Sequence, residues 1–258
     1  FWRDQMASLP EAKVPEASGA DELAYPDMRV VTIDRSLSDQ LKAFAQREGV
    51  ALKFVLLGAH MKALSALLQS DDVVSGVVLN GRLERAGGEE HIGMFLNSLP
   101  FRLNLAGHSW HSLVHACMEH ERTLYPHRRM PLSNLQELLE RRDLFEVAFN
   151  YVHFSQAWSK DEGQALSLLK REGSAISSLS FLMTFMLNPQ TSQVEGFFQF
   201  PGGVGWEPYA DALVDSYQEV LTSIVSTDST AEIGQMNLVS VTESSRINTW
   251  EGDDDNGF

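Results

Sequence analysis

The chain has 258 residues, 43% hydrophobic and 21% charged, proportions that exclude wholesale disorder and collagen-like repeats. Lys and Arg number 20 against 35 Asp and Glu, a formal charge of −15, which disfavours a broad grip on nucleic acid or anionic lipid. The single Cys117 excludes an intramolecular disulfide and a cysteine-built metal centre, and fits a reducing cytoplasm.

Residues 1–29 hold Pro10, Pro15 and Pro26 among many small residues and read as a connecting segment. No basic stretch followed by an apolar run opens the chain, so no signal peptide is expected. The apolar stretches fall far short of the about 20 residues a bilayer span needs. The expectation is a cytoplasmic protein cut from something longer. Val30-Val31-Thr32-Ile33 is a strand candidate. Ser36 or Ser38 offers a cap for a helix over 39–48, which Gly49 ends. Phe54, Leu57, Met61, Leu64 and Leu68 recur at helical spacing and predict a helix over 51–68. The valine-rich run 73–79 predicts a buried strand.

A polar loop over 83–91 follows, and the second half of 92–105 is strand-like. Ser109 is placed to cap a helix over 110–124, and Pro131 to open one reaching about residue 142. Strands are expected over 145–154, 165–170, 179–187 and 194–200. A long amphipathic helix over 209–225 presents Leu213, Tyr217, Val220, Leu221 and Ile224 on one face. A short last strand is expected over 236–241. This mixture predicts an α/β (α+β) fold, a mixed β-sheet packed with helices.

The chain carries no Walker loop, GxGxxG fingerprint or GxSxG elbow. His111 and His115 stand four apart, with His108 three earlier, a spacing at which two imidazoles reach one metal ion. No HExxH carboxylate accompanies them and the sequence indicates no third ligand, so no metal is expected. Cys117, among Val114, Ala116 and Met118, reads as a small buried side chain. His127-Arg128-Arg129 is a basic cluster in an acidic chain, either a loop between helices or a phosphate or carboxylate contact. In Ile92-Gly93-Met94-Phe95-Leu96-Asn97-Ser98 a polar pair ends an apolar run. A buried Asn there either ties down a backbone turn or points into a cavity.

Together these strings resemble the C-terminal lobe of a condensation domain from a nonribosomal peptide synthetase. Residues 92–98 are similar to the family's IGxFVNT motif, with Leu96 for Val and Ser98 for Thr. Asn80-Gly81-Arg82 resembles the family's strand-end GR, and the run 127–132 keeps the His and Pro of HQDYPFE. Residues 145–154 resemble the strand of domains that join two L-configured residues, and 228–258 the lead-in to an adenylation domain. The family's HHxxxDG motif is absent, and no two histidines are adjacent. In the family that motif belongs to the preceding lobe, so the resemblance implies no catalytic residue in this chain.

The resemblance implies a chloramphenicol-acetyltransferase-like lobe over 30–227, preceded by an inter-lobe segment, 1–29, and followed by a linker, 228–258. It implies amide formation between a donor acyl thioester and an acceptor aminoacyl thioester, each on a carrier protein. The cofactors are then the carriers' phosphopantetheine arms, with none bound directly. Partners are the N-terminal lobe, both carriers and the adenylation domain; nucleic acid and membrane are not among them. Asn97, Ser98, Ser178 and Ser180 are expected at the substrate tunnel or its motif. Gly81, Arg82, Gly93 and Arg102 take structural roles, and Arg128 and Arg129 contact a carrier. The alternatives are a carrier-docking or self-associating lobe without catalysis, and the C-terminal lobe of an ester-forming or epimerisation domain. A lobe apart from its mate exposes an apolar face, so a homo-oligomer is expected.

Overall fold

The computed structural model describes residues 1–10, 26–152, 181–202 and 206–235. In chain order the elements are α1 (Trp2–Gln5), β1 (Asp27–Val31), α2 (Arg35–Glu48), α3 (Leu52–Leu68), β2 (Asp72–Asn80), β3 (Leu96–Asn104), α4 (Trp110–Leu124), α5 (Leu132–Leu138), β4 (Val147–Val152), β5 (Phe181–Leu187), β6 (Val194–Phe200) and α6 (Glu207–Ser226). Short 3₁₀ turns occupy Gly88–Glu90, Tyr125–His127 and Ile233–Gln235. The strands form one sheet in the order β1-β6-β5-β4-β2-β3. Its centre, β5-β4-β2, is parallel, and antiparallel pairs flank it on both sides. This is the expected mixed sheet packed with helices.

α3 is the pivot of the helical layer. It packs against α2, α4 and α6 and lies on β2 and β4. Every residue from Val55 to Ser65 is buried, as expected of a helix enclosed on all sides. α6 covers β1 and β6 through Leu213, Tyr217, Val220, Leu221 and Ile224, the five positions that share its apolar face. β5 and β6 alternate buried and less buried residues, so one face of each lies under the helices. Phe181 stacks on Phe198, and Phe185 meets Tyr217 edge-on. At the middle of β2, a Cβ on Gly76 would stand 2.3 Å from the Phe145 ring. Only glycine admits that ring against the strand.

Local signals set most boundaries. Ser109 and Ser112 form a reciprocal capping box that starts α4 where the sequence places it. Gly49, at φ +67°, ends α2 in a left-handed turn. Two caps differ from expectation. α2 begins at Arg35 because the Asp34 carboxylate, rather than Ser36 or Ser38, accepts from the Leu37 N–H at 2.7 Å. Ser38 is buried instead and accepts from the Val194 N–H, tying α2 to β6. α5 ends at Leu138, short of residue 142, because the chain turns through Glu140 at φ +52°. β1 starts three residues earlier than the sequence suggests, and the strand expected over 145–154 starts two residues later, at Val147, with 153 and 154 outside the described residues. The strands expected over 165–170 and 236–241 lie outside the described residues. No single helix among the described residues is long and apolar enough to cross a membrane.

Candidate functional site

β2 ends at Asn80, and the polar stretch that follows folds back over that end. Gly81 N–H donates to the Phe95 carbonyl at 2.6 Å. The Arg82 guanidinium donates to the Gly88 and His91 carbonyls, at 2.9 and 2.6 Å, and lies over the Phe95 ring. One arginine thus closes the loop between β2 and β3. Gly93 sits at its exposed tip beside Phe95.

The basic cluster packs against the same strand end. Arg128 is 3% exposed. Its guanidinium donates to the Asn80 carbonyl at 3.0 Å and the Tyr125 carbonyl at 2.9 Å, pairs with Glu84, and stacks on the Tyr125 ring. Arg129, with its side chain 46% exposed, donates to the Gly81 carbonyl at 3.0 Å and approaches Glu84 at 3.5 Å. The expected carrier contact at Arg128 therefore meets a guanidinium already committed to the interior, and Arg129 is the exposed member of the pair. His127, outside any catalytic role in the sequence reading, stacks on Phe1 at 4.0 Å.

Asn97 joins the two halves of the cluster. From β3 its amide nitrogen donates to the Arg128 carbonyl at 2.9 Å and the Met130 carbonyl at 2.7 Å. Of the two roles the sequence left open, tying down a backbone turn is the one the geometry contains. Ser98, the next residue on β3, pairs with Val78 of β2 and is half-buried. Three strings separated in sequence, 80–82, 92–98 and 127–131, thus meet at one end of the β2–β3 ladder. Arg102 belongs to the other end. It pairs bidentately with Asp72 at 2.8 and 2.7 Å and donates to the Ala7 and Ser8 carbonyls. Ser178 and Ser180 lie outside the described residues.

A cleft of about 630 Å³ opens beside the cluster, lined by Asn80, Arg82, Glu84, Arg85 and Tyr125 among others. The Tyr125 hydroxyl donates to Glu84 at 2.6 Å. That hydrogen bond, with Arg128 beside it, holds the Glu84 carboxyl below its ordinary range, and the same bond raises the Tyr125 hydroxyl. Neither group is poised to exchange a proton near neutral pH, so the cleft is equipped for binding and positioning rather than acid–base work. Next to it, Ile92, Met94 and Leu96 are all exposed where the chain enters the edge strand β3.

Sequence reasoning passed over a second polar group, deep in the core. His60 is fully buried between Tyr217 of α6 and Ser75 of β2, with Nδ1 at 2.5 Å and Nε2 at 2.6 Å from their hydroxyls. Because Ser75 also donates to the Val147 carbonyl at 3.2 Å, one proton arrangement satisfies every member. Tyr217 donates to Nδ1, Nε2–H donates to Ser75, and Ser75 donates to β4. Burial pushes the His60 pKa down to about 3 and raises the Tyr217 hydroxyl. The signal was a histidine inside the largely apolar stretch of α3. Cys117 is buried, and its thiol is pushed up by burial, which leaves it unreactive.

A family model of the condensation domain matches residues 1–247. The chain belongs to the condensation-domain family of nonribosomal peptide synthetases and forms its C-terminal lobe. It is 30% identical over 226 residues to the AMB antimetabolite synthetase AmbE of Pseudomonas aeruginosa, a match covering 87% of this chain and 10% of that protein. The X-domain from teicoplanin biosynthesis superposes with a TM-score of 0.77 at 18% identity, over 92% of this chain and 56% of that one. The first condensation domain of the calcium-dependent antibiotic synthetase, solved with a substrate analogue, gives a TM-score of 0.69 at 18% identity, over 93% and 52%. The chain thus spans a tenth of that synthetase and about half of each solved chain. The fold is the chloramphenicol-acetyltransferase-like fold of these neighbours.

Proposed function

We propose that this lobe is one half of a condensation domain that makes an amide bond between two carrier-bound substrates, of the type joining L-configured residues. The acceptor's amine attacks the donor's thioester carbonyl. The new C–N bond forms, the C–S bond breaks, and the amine's proton leaves with the released phosphopantetheine thiol. Alignment of two tethered reactants is worth about 7–11 kcal/mol, so a wall that positions them contributes without donating a proton itself. Acid–base work falls to the N-terminal lobe, because this chain carries no HHxxxDG, and the lobe alone is inactive.

The observation that carries this reading is the meeting of the three motif strings around Asn97, beside an open polar cleft. Asn97 acts as a positioning residue that fixes the 127–131 loop against β3. Ser98, Ser178 and Ser180 are assigned to the substrate tunnel or its motif on the family resemblance alone. Arg129 meets a carrier or the phosphate of its arm. The exposed apolar run Ile92, Met94 and Leu96 packs against the partner lobe. Residues 1–29 lead in from that lobe and 228–258 lead on to an adenylation domain.

A single-turnover condensation assay with separately loaded carriers tests the reading, the dipeptidyl product being detected by mass. Product is expected only when a matched N-terminal lobe is added. Product from this chain alone overturns the division of labour, and no product from the intact two-lobe protein overturns the amide reaction. In that intact protein Asn97→Ala is expected to lower turnover about tenfold through misplacement. Unchanged turnover at unchanged stability removes Asn97 from the site.

A further inference from the structure

Away from the motif cluster, on the helical layer, three ligand-type side chains converge. Glu48 is the last residue of α2, and its side chain is only 7% exposed. It points at the first turns of α4, where His111 and His115 lie one turn apart with ring centroids 4.7 Å apart. His111 Nδ1 stands 2.6 Å from a Glu48 oxygen. One ligating atom from each of the three lies within 4.8 Å of the others. The sequence offered two histidines and no third ligand. α3, against which both α2 and α4 pack, brings in the third from 63 residues away.

We infer that Glu48, His111 and His115 bind a divalent transition-metal ion of the zinc type. Two imidazole nitrogens and one carboxylate oxygen are the donor set such ions prefer, whereas Ca²⁺ and Mg²⁺ require oxygen ligands. Bonds of about 2.1 Å in a tetrahedral site set ligand atoms about 3.4 Å apart. His111 must therefore swing slightly off Glu48 as the ion enters, which its 54% side-chain exposure permits without moving the backbone. Arg47, 3.5 Å from the other Glu48 oxygen, is well exposed, with its guanidinium over the Phe44 ring. Three protein ligands leave the fourth position to water.

The place gives the ion a structural task. His111 N–H also donates to the Ser229 carbonyl at 2.8 Å, and Ile233 N–H to the His108 carbonyl at 2.9 Å. An ion here fastens the end of α2 to the start of α4, where the segment leaving α6 crosses. Binding to the folded form alone raises stability by mass action.

The test is titration of the full chain, free of any histidine tag, with Zn²⁺ by calorimetry and with Co²⁺ by visible absorption. One ion per chain at micromolar affinity is expected, with a tetrahedral Co²⁺ band and a higher melting temperature in Zn²⁺. His111→Ala and Glu48→Gln should each weaken binding roughly tenfold or more and abolish the thermal shift. His115→Gln, at a half-buried surface position, serves where another variant fails to fold. Absence of binding at millimolar Zn²⁺ overturns the inference. So does unchanged affinity in the variants, which assigns the ion to another of the eight histidines.

Discussion

β2 carries two polar networks that solve the same problem in opposite ways. At its middle, Ser75 belongs to a chain sealed in the core, in which Tyr217, His60, Ser75 and the Val147 carbonyl each meet a partner. At its end, Arg128 serves the Asn80 and Tyr125 carbonyls beside an open cleft. The sealed chain is neutral, and burial holds His60 so. The rim cluster is charged and keeps its charge, because an arginine resists desolvation where a histidine gives up its proton. Polar groups in the core therefore tie helix to sheet, and those at the rim shape a surface.

The sharpest way to break this comparison is His60→Leu. It leaves two buried hydroxyls without their ring partner, at about 1–3 kcal/mol each, so a loss of about 3 kcal/mol is expected in chemical denaturation at pH 7.5. The wild type carries a pH signature as well. The unfolded chain takes up this proton near the ordinary value of 6.5, the folded chain only near 3. Stability is thus whole above that ordinary value and falls with pH by about 1.4 kcal/mol per unit through the window. His120, also lowered by burial, adds to the upper part. His60→Leu should flatten the slope, and an unchanged slope would assign it elsewhere.

Arg128→Ala comes next. Water from the cleft re-solvates the abandoned carbonyls, so about 2 kcal/mol is expected rather than the full cost of buried orphans. Faster hydrogen exchange should be confined to 81–95 and 125–131. Arg102→Ala is the smallest, at about 1 kcal/mol, because the Arg102–Asp72 pair is partly exposed at 22% and 32%. Its hydrogen bond to Arg102 holds the Asp72 carboxyl below its usual value. That increment is therefore present above the ordinary carboxyl pKa and disappears as pH falls through the lowered one. Equal losses from Arg128→Ala and Arg102→Ala would erase the distinction between buried and exposed arginines.

Much of this was legible in the residues. α4 and β6 coincide with their predicted spans, since a serine cap and an alternating aromatic run are local signals. α2 started a turn early because Asp34 outcompeted the serines nearby, and one of those had a tertiary use that no local pattern reveals. The motif strings singled out Arg82, Asn97 and Arg128, but not that Asn97 grips the backbone of 128–130. That contact joins residues more than thirty apart, as does the convergence of Glu48 on His111. Strand order was equally hidden, since β4 enters between β2 and β5 through pairings that no neighbouring residue encodes.

The strand order also bears on how the lobe is made. β1 lies at the sheet's edge against β6, Asp27 opposite Phe200. On a ribosome, the first strand must wait for nearly the last one to emerge. Until then β1 leaves Val31, buried in the finished sheet, and its unpaired peptide groups open to any passing chain. That interval is when a nascent lobe is most exposed to pairing with the wrong neighbour.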